Sequence, residues 1–236
     1  MSSSCPQLTH LNLNGSFRLQ DADIFILVRA CTELKELCLE NCRKLTDQTF
    51  GHLIQHAPKL TSLDVGGNFN MTVEGLSHLI ETHVNHSKFT KVHISGHRIT
   101  NDTLQLISSK CRKLHSLCIG YASIEDQALI ALLNKRKSIN RVHVHWNTAL
   151  TDAVLYHMST ECPNLQDVSL AGVKTLSNEA IAQFILYKMN PPAQEGEENQ
   201  EIPRKKLKKI DLKYTNLTKE SKNYITTTFP DLILNV

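Results

Sequence analysis

Imidazoles are the first groups in this chain whose type and spacing could do chemistry. His143 and His145 stand two residues apart, as on one face of a strand, and His93 holds an equivalent place in an earlier segment. Three convergent imidazoles could hold Zn or Cu. No H-E-x-x-H motif and no carboxylate at ligand spacing accompanies them, so a polar, His-rich surface without metal or cofactor is expected. Thiols come next: Cys5, Cys31, Cys38, Cys42, Cys111, Cys118 and Cys162. Their number is odd and no C-x-x-C occurs, which speaks against a disulfide framework and for a reducing compartment. Neither a nucleophile elbow nor a phosphate-binding glycine loop is present, and no enzymatic activity is expected. Recognition chemistry is better represented. Tyr121, Arg141 and Trp146, the only tryptophan, are of the residue types that dominate interface energy.

The elements that must position these groups recur along the chain. A pattern L-x-x-L-x-L-x-x-(small) opens at Leu8, Leu34, Leu60, Phe89, Leu114, Ile139, Leu165 and Leu207, at spacings of 26, 26, 29, 25, 25, 26 and 42 residues. A period near 26 belongs to leucine-rich repeats, in which each unit is one short strand and one helix. One unit cannot bury its own apolar face, so units stack into a solenoid. The expected fold is an α/β horseshoe of about eight repeats over residues 5–236, with parallel strands on the concave face and helices on the convex face.

Within a repeat the alternation sets direction. Leu37 and Leu39 point inward, while Glu36, Cys38 and Glu40 point out. Cys42 stands at a turn whose backbone needs a small polar partner; Ser16, Asn68, His97, Ala122, Asn147, Val173 and Thr215 share that position. Helix starts repeat as Leu45-Thr46-Asp47 and Leu150-Thr151-Asp152, with Thr or Ser as the N-cap and an acid near the positive end of the helix dipole. Apolar anchors follow the cap: Ile24, Phe50, Leu76, Leu104, Leu129, Leu155 and Ile181, then Leu27, Leu53, Leu79, Ile107, Leu132, Met158 and Phe184. The last helix lacks its anchor, having Lys222 there, and 229–234 reads as a closing element.

Aligned in this register, the outward positions form two patches. Repeats two and three are acidic through Glu36, Glu40 and Asp64. Repeats four to six are basic or aromatic through Lys91, His93, Tyr121, Arg141, His143, His145 and Trp146, and Tyr214 extends the aromatic line. The second patch is the expected site for a protein partner. Trp146 either anchors that partner or folds over its turn as part of the core, and the residues alone leave both open.

Composition narrows the function classes. The 236 residues are 41% hydrophobic, and 26 basic against 23 acidic residues give a net charge of +3. That near balance makes no case for nucleic acid. No apolar run is long enough to span a membrane, and the first residues have no secretory pattern. Residues 188–205 form a Pro- and Glu-containing insertion, expected to be a mobile loop between repeats seven and eight. The basic tract at 203–209 reads either as a nuclear signal or as a solvated strand edge. A cytoplasmic or nuclear location is expected.

The Cys-Pro-x-Leu openings at Cys5 and Cys162, the cysteines at Cys31 and Cys111, the L-x-L-x-x-C of Leu37 to Cys42 and the Leu-Thr-Asp helix starts carry a resemblance. They resemble the cysteine-containing leucine-rich repeats of F-box proteins, over residues 5–187 and 206–236. The resemblance implies the substrate-binding repeats of a cullin–RING ubiquitin ligase, with an F-box linking them to an adaptor. Related repeats also serve as cell-cycle regulators and as scaffold subunits of ciliary or cytoskeletal assemblies. The first repeat begins at Cys5, which leaves no room for an F-box and no cap over Leu8, Leu11 and Leu13. The expectation is therefore that the chain is part of a longer product or that another protein covers this end.

Overall fold

The computed structural model describes residues 5–96, 99–190 and 204–236. Strands and helices alternate throughout: β1 (His10–Asn12), α1 (Asp21–Ala30), β2 (Glu36–Cys38), α2 (Asp47–His56), β3 (Ser62–Asp64), α3 (Val73–Thr82) and β4 (Lys91–His93). The series continues with α4 (Asn101–Lys110), β5 (Ser116–Cys118), α5 (Asp126–Lys135), β6 (Arg141–His143) and α6 (Asp152–Glu161). It ends with β7 (Asp167–Ser169), α7 (Asn178–Met189), β8 (Lys209–Asp211), α8 (Lys219–Thr228) and β9 (Ile233–Asn235). Among the described residues nine strands form one sheet in chain order, all neighbours parallel. This is an α/β leucine-rich-repeat solenoid. No described helix is long and apolar enough to cross a membrane.

The register follows the repeat columns. His10, Glu36, Ser62, Lys91, Ser116, Arg141, Asp167 and Lys209 stand in one row across the sheet. The intervening residues Leu37, Leu63, Val92, Leu117, Val142, Val168 and Ile210 are buried between sheet and helices. Parallel three-residue strands suffice because each is flanked by neighbours that bury its apolar side. The 229–234 segment closes the stack: Phe229 and Leu232 are buried, and Ile233 begins the ninth strand, a unit beyond the eight counted in the sequence. Lys222 is exposed, and Ile225 is the buried anchor of α8. In α1 the second anchor is Val28; Leu27 is only partly covered. Residues 191–203 of the insertion lie outside the described residues. Its first two residues do not belong to a loop, because α7 runs to Met189 and Lys188 is buried.

Buried amides build the turns. Asn68 Nδ2 donates to the Leu39 and Val65 carbonyls at 2.8 and 3.0 Å, and Asn147 Nδ2 to those of Ile119 and Val144 at 3.0 and 2.7 Å. Each joins its own turn to the preceding repeat, satisfying carbonyls that no strand reaches. Cys42 Sγ makes a similar contact to Leu13 O at 3.1 Å.

Helix starts are also linked between repeats. Thr46, Thr72, Thr100, Thr151, Ser177 and Thr218 cap their helices through their side-chain oxygens. The first residue of each helix then reaches to the next cap. Asp21 accepts from Thr46 N, Thr46 Oγ1 and Thr49 Oγ1 at 3.0, 2.8 and 2.6 Å. Asp47 binds Thr72 in the same way, Asp126 binds Thr151, and Asp152 accepts from Ser177 N. Asn101 and Asn178 continue the ladder to Glu125 N and Thr218 N. It is interrupted once among the described residues: α3 begins with Val73, which offers no acceptor to the cap of α4.

Candidate functional site

Among the described residues eight turn positions, one per repeat, carry positive φ: Gly15, Asn41, Gly67, Gly96, Tyr121, Trp146, Gly172 and Tyr214. The left-handed region suits glycine and costs a bulky L-residue free energy. Tyr121, Trp146 and Tyr214 nonetheless hold it, at φ of 57°, 55° and 60°. Their rings form a row. Tyr121 stacks on Trp146 at 6.0 Å between centroids and 9° between planes; Trp146 stacks on Tyr214 at 5.7 Å and 30°. The Trp146–Tyr214 contact spans the intervening repeat because Gly172 lacks a side chain: a Cβ there would stand 2.4 Å from Trp146 Cδ2. Both readings of Trp146 thus meet in one geometry. The indole lies over a turn, half-buried, and it still shares a ring surface with Tyr121 and Tyr214, which are 59% and 68% exposed.

Charged groups on the open face pair across repeats. His93 Nδ1–H donates to Asp64 Oδ2 at 3.0 Å, and the Ser116 hydroxyl completes its other nitrogen at 3.0 Å. Burial holds His93 below the usual imidazole range despite Asp64, which keeps it neutral and defines this tautomer. Burial pulls the Asp64 carboxyl upward, but His93, the Gly66 amide and Lys91 outweigh it, so Asp64 titrates below the carboxylate range. Asp167 accepts from Arg141 Nε at 2.7 Å and His143 Nε2 at 3.0 Å, and is held low against its burial by the His143 hydrogen bond and charge together with Arg141. His145 is lowered by burial and then by His143. The acidic and basic patches of the sequence are therefore one interleaved surface: Asp64 sits beside Lys91 and His93, and Arg141 and His143 share Asp167.

A cavity of about 620 Å³ opens on this face. It brings together Glu40, Asp64, His93, Tyr121, His143 and His145 from the residues expected by sequence. Glu36, Lys91, Arg141, Trp146 and Tyr214 do not line it; Glu36 is exposed and paired with His10 at 3.2 Å. Phe69, on the wall and 70% exposed, was not expected. Its signal is an aromatic side chain directly after the buried turn amide Asn68, a place where repeat one also exposes Phe17. Asp167 was likewise missed as the partner of two site residues, because its role depends on strand register. Among the described residues, Cys38, Glu40 and Asp64 place ligand atoms within 4.8 Å of one another. The Lys91 ammonium, 3.9 Å from Asp64, already supplies positive charge there. Among the described residues His93, His143 and His145 do not bring three ligand atoms within 4.8 Å of one another. Desolvation disfavours the thiolate at three buried cysteines, raising Cys111 to about 12 and Cys118 and Cys162 to about 11.

No family model matches the chain. It is 25% identical over 210 residues to a Caenorhabditis elegans protein named "Putative RNA-binding protein EEED8.10", a match covering 76% of this chain and 28% of that one. The chain thus spans less than a third of that relative. It superposes on a chain of the crystal structure of the yeast Rad7 and Elc1 complex with a TM-score of 0.63 at 16% identity, over 88% of this chain and 57% of that one. Together with the in-order parallel sheet and its repeated turns, that likeness identifies the fold as a leucine-rich-repeat solenoid.

Proposed function

We propose that this chain is a protein-recognition module that holds its partner on the open face of the sheet, against the rings of Tyr121, Trp146 and Tyr214. The observation that carries this reading is the ring row itself. Three aromatic residues occupy left-handed turns where glycine or asparagine serves the other repeats, and two of them face solvent. Strain kept at exposed aromatic positions makes sense when the rings are used in binding. The near-balanced charge favours a protein over a polyanion. The nematode relative's name speaks of RNA, but the match covers only 28% of that protein.

Within this reading the chain supplies the substrate-recognition repeats of an F-box-type ubiquitin ligase, working in the cytoplasm or nucleus, with an adaptor engaged through an F-box. Cysteines at the C-caps of α1, α4 and α6, and the threonine-capped helix starts, support the resemblance to that subtype. A scaffold subunit of a ciliary or cytoskeletal assembly, or a competitive regulator without ubiquitin chemistry, would use the same face. Sequencing the full-length transcript for an F-box, and testing for cullin in purified complexes, separates these roles.

Capture of partners by the wild-type chain and its variants tests the module. Trp146→Ala should weaken capture by roughly 30-fold or more, with thermal stability nearly unchanged. Glu179→Lys on the outer face of α7 should leave capture intact. Full retention by Trp146→Ala with loss in Glu179→Lys would place binding on the helices. Capture of RNA rather than protein, lost in Trp146→Ala, would replace the protein reading.

A further inference from the structure

The cavity beside the ring row has carboxylates at its base and aromatic rings at its sides. Its two acids are not equivalent. Asp64 is satisfied by His93, by the Gly66 amide at 3.2 Å and by Lys91. Glu40 receives one hydrogen bond, from Asn14 Nδ2 to Oε2 at 2.8 Å, and among the described residues it forms no ion pair of its own; the one nearby ammonium, Lys91, pairs with Asp64 and acts on Glu40 only from farther off. His93 and His145 are held neutral, so they do not offset it. Burial and then the nearby Asp64 push the Glu40 carboxyl upward, opposed in part by the Asn14 hydrogen bond and by Lys91, so two carboxylates share a single ammonium.

Two aromatic side chains, Phe69 and Tyr121, line the cavity. Phe69 and Tyr121 belong to turns two repeats apart, whose backbones are separated by roughly 10 Å at about 4.8 Å per strand. Gly96 lies between them and contributes no side chain, and Phe69 leans over it: a Cβ at Gly96 would stand 3.2 Å from Phe69 Cε1. Tyr121 is held from behind by Trp146 and His145, the latter edge-on at 5.6 Å.

We infer that this cavity takes an arginine side chain of the bound protein, with the guanidinium against the Phe69 and Tyr121 rings and Glu40 as its counter-ion. The inference rests on the recognition reading above and names the residue type the partner presents. Guanidinium suits the site better than ammonium, because it is planar, stacks on aromatic faces and meets a carboxylate with two N–H donors. A metal ion would use Cys38, Glu40 and Asp64, and would leave the aromatic walls without a role.

The test titrates the full chain, carrying 13C-labelled Phe and Tyr, with the tripeptide N-acetyl-Gly-Arg-Gly-amide and its uncharged citrulline isostere. The arginine peptide should shift the Phe69 and Tyr121 ring signals saturably, and the citrulline peptide should not. Glu40→Gln should weaken arginine binding by about tenfold or more, and Phe69→Ala should weaken it as well. Four results would overturn the inference: no saturable shift, equal shifts with citrulline, undiminished binding in Glu40→Gln, or displacement of the peptide by Co²⁺ with a thiolate absorption that disappears in Cys38→Ser. Partner capture separates the two readings. Capture lost in Trp146→Ala without arginine binding removes this inference and keeps the module. Arginine binding with capture intact in Trp146→Ala does the reverse.

Discussion

Tyr214 shows what single residues contribute. It holds φ of 60° while 68% exposed, so it carries backbone strain with little burial in return. A non-glycine residue in this region costs on the order of 1–3 kcal/mol. Tyr214→Gly should therefore leave the urea midpoint unchanged or raise stability by about 1 kcal/mol, while partner capture falls; a clear loss of stability would show that the ring is structural. Lys188 gives a pH signature. Buried on α7 and donating to Cys162 O, it is lowered from 10.5 to about 8 by burial, with Arg204 adding to the shift and Cys162 opposing it. Between about 8 and 10.5 the unfolded chain holds a proton that the folded chain has released, so this residue's contribution to stability rises with pH through that window. Below it both states are charged and the folded state bears the full burial penalty. Lys188→Met should remove this dependence, worth on the order of 2–3 kcal/mol, in denaturation series run across the window. The column containing Tyr121, Trp146 and Tyr214 could be read from the sequence by alignment, and its glycines hinted at the left-handed turn. The stack could not, since it depends on ring orientation across Gly172.

The helices were legible in detail where they depend on local chemistry. Threonine caps and the apolar positions one turn later are rules of a few residues, and nearly all hold. The aspartate after the cap was read only through the helix dipole, yet its main bonds run to the next repeat. That link joins residues 25 or more apart and exists only once the helices are stacked. Asp126→Ala removes both bonds to Thr151 and should lower stability by about 1–3 kcal/mol, whereas Glu74→Ala, on the exposed start of α3, should change it by less than about 0.5 kcal/mol. Equal effects in thermal melts would reduce the ladder to helix-dipole electrostatics.

At the scale of the whole molecule the strand register is the feature the sequence carried best. Leu117 is fully buried and Ser116 lies on the open face beside His93. Leu117→Asp places an unpaired carboxylate in the middle of the stack and should cost on the order of 3–5 kcal/mol, while Ser116→Asp should be tolerated. Comparable melting of the two variants would shift the register by one. The charge pairing could not be read from composition. Asp64 with His93 and Asp167 with Arg141 lie 29 and 26 residues apart and meet only through parallel strands.

The missing acceptor at Val73 has a mechanical consequence. A stacked array transmits load through the bonds between neighbouring units, and among the described residues the cap-to-cap ladder on the helix side is continuous except between α3 and α4. Pulled from its ends, the chain should part first at that seam, leaving one block of three repeats and one of the remainder. A single-molecule extension trace should then show an early rip at the junction, and Val73→Asp should delay or merge it.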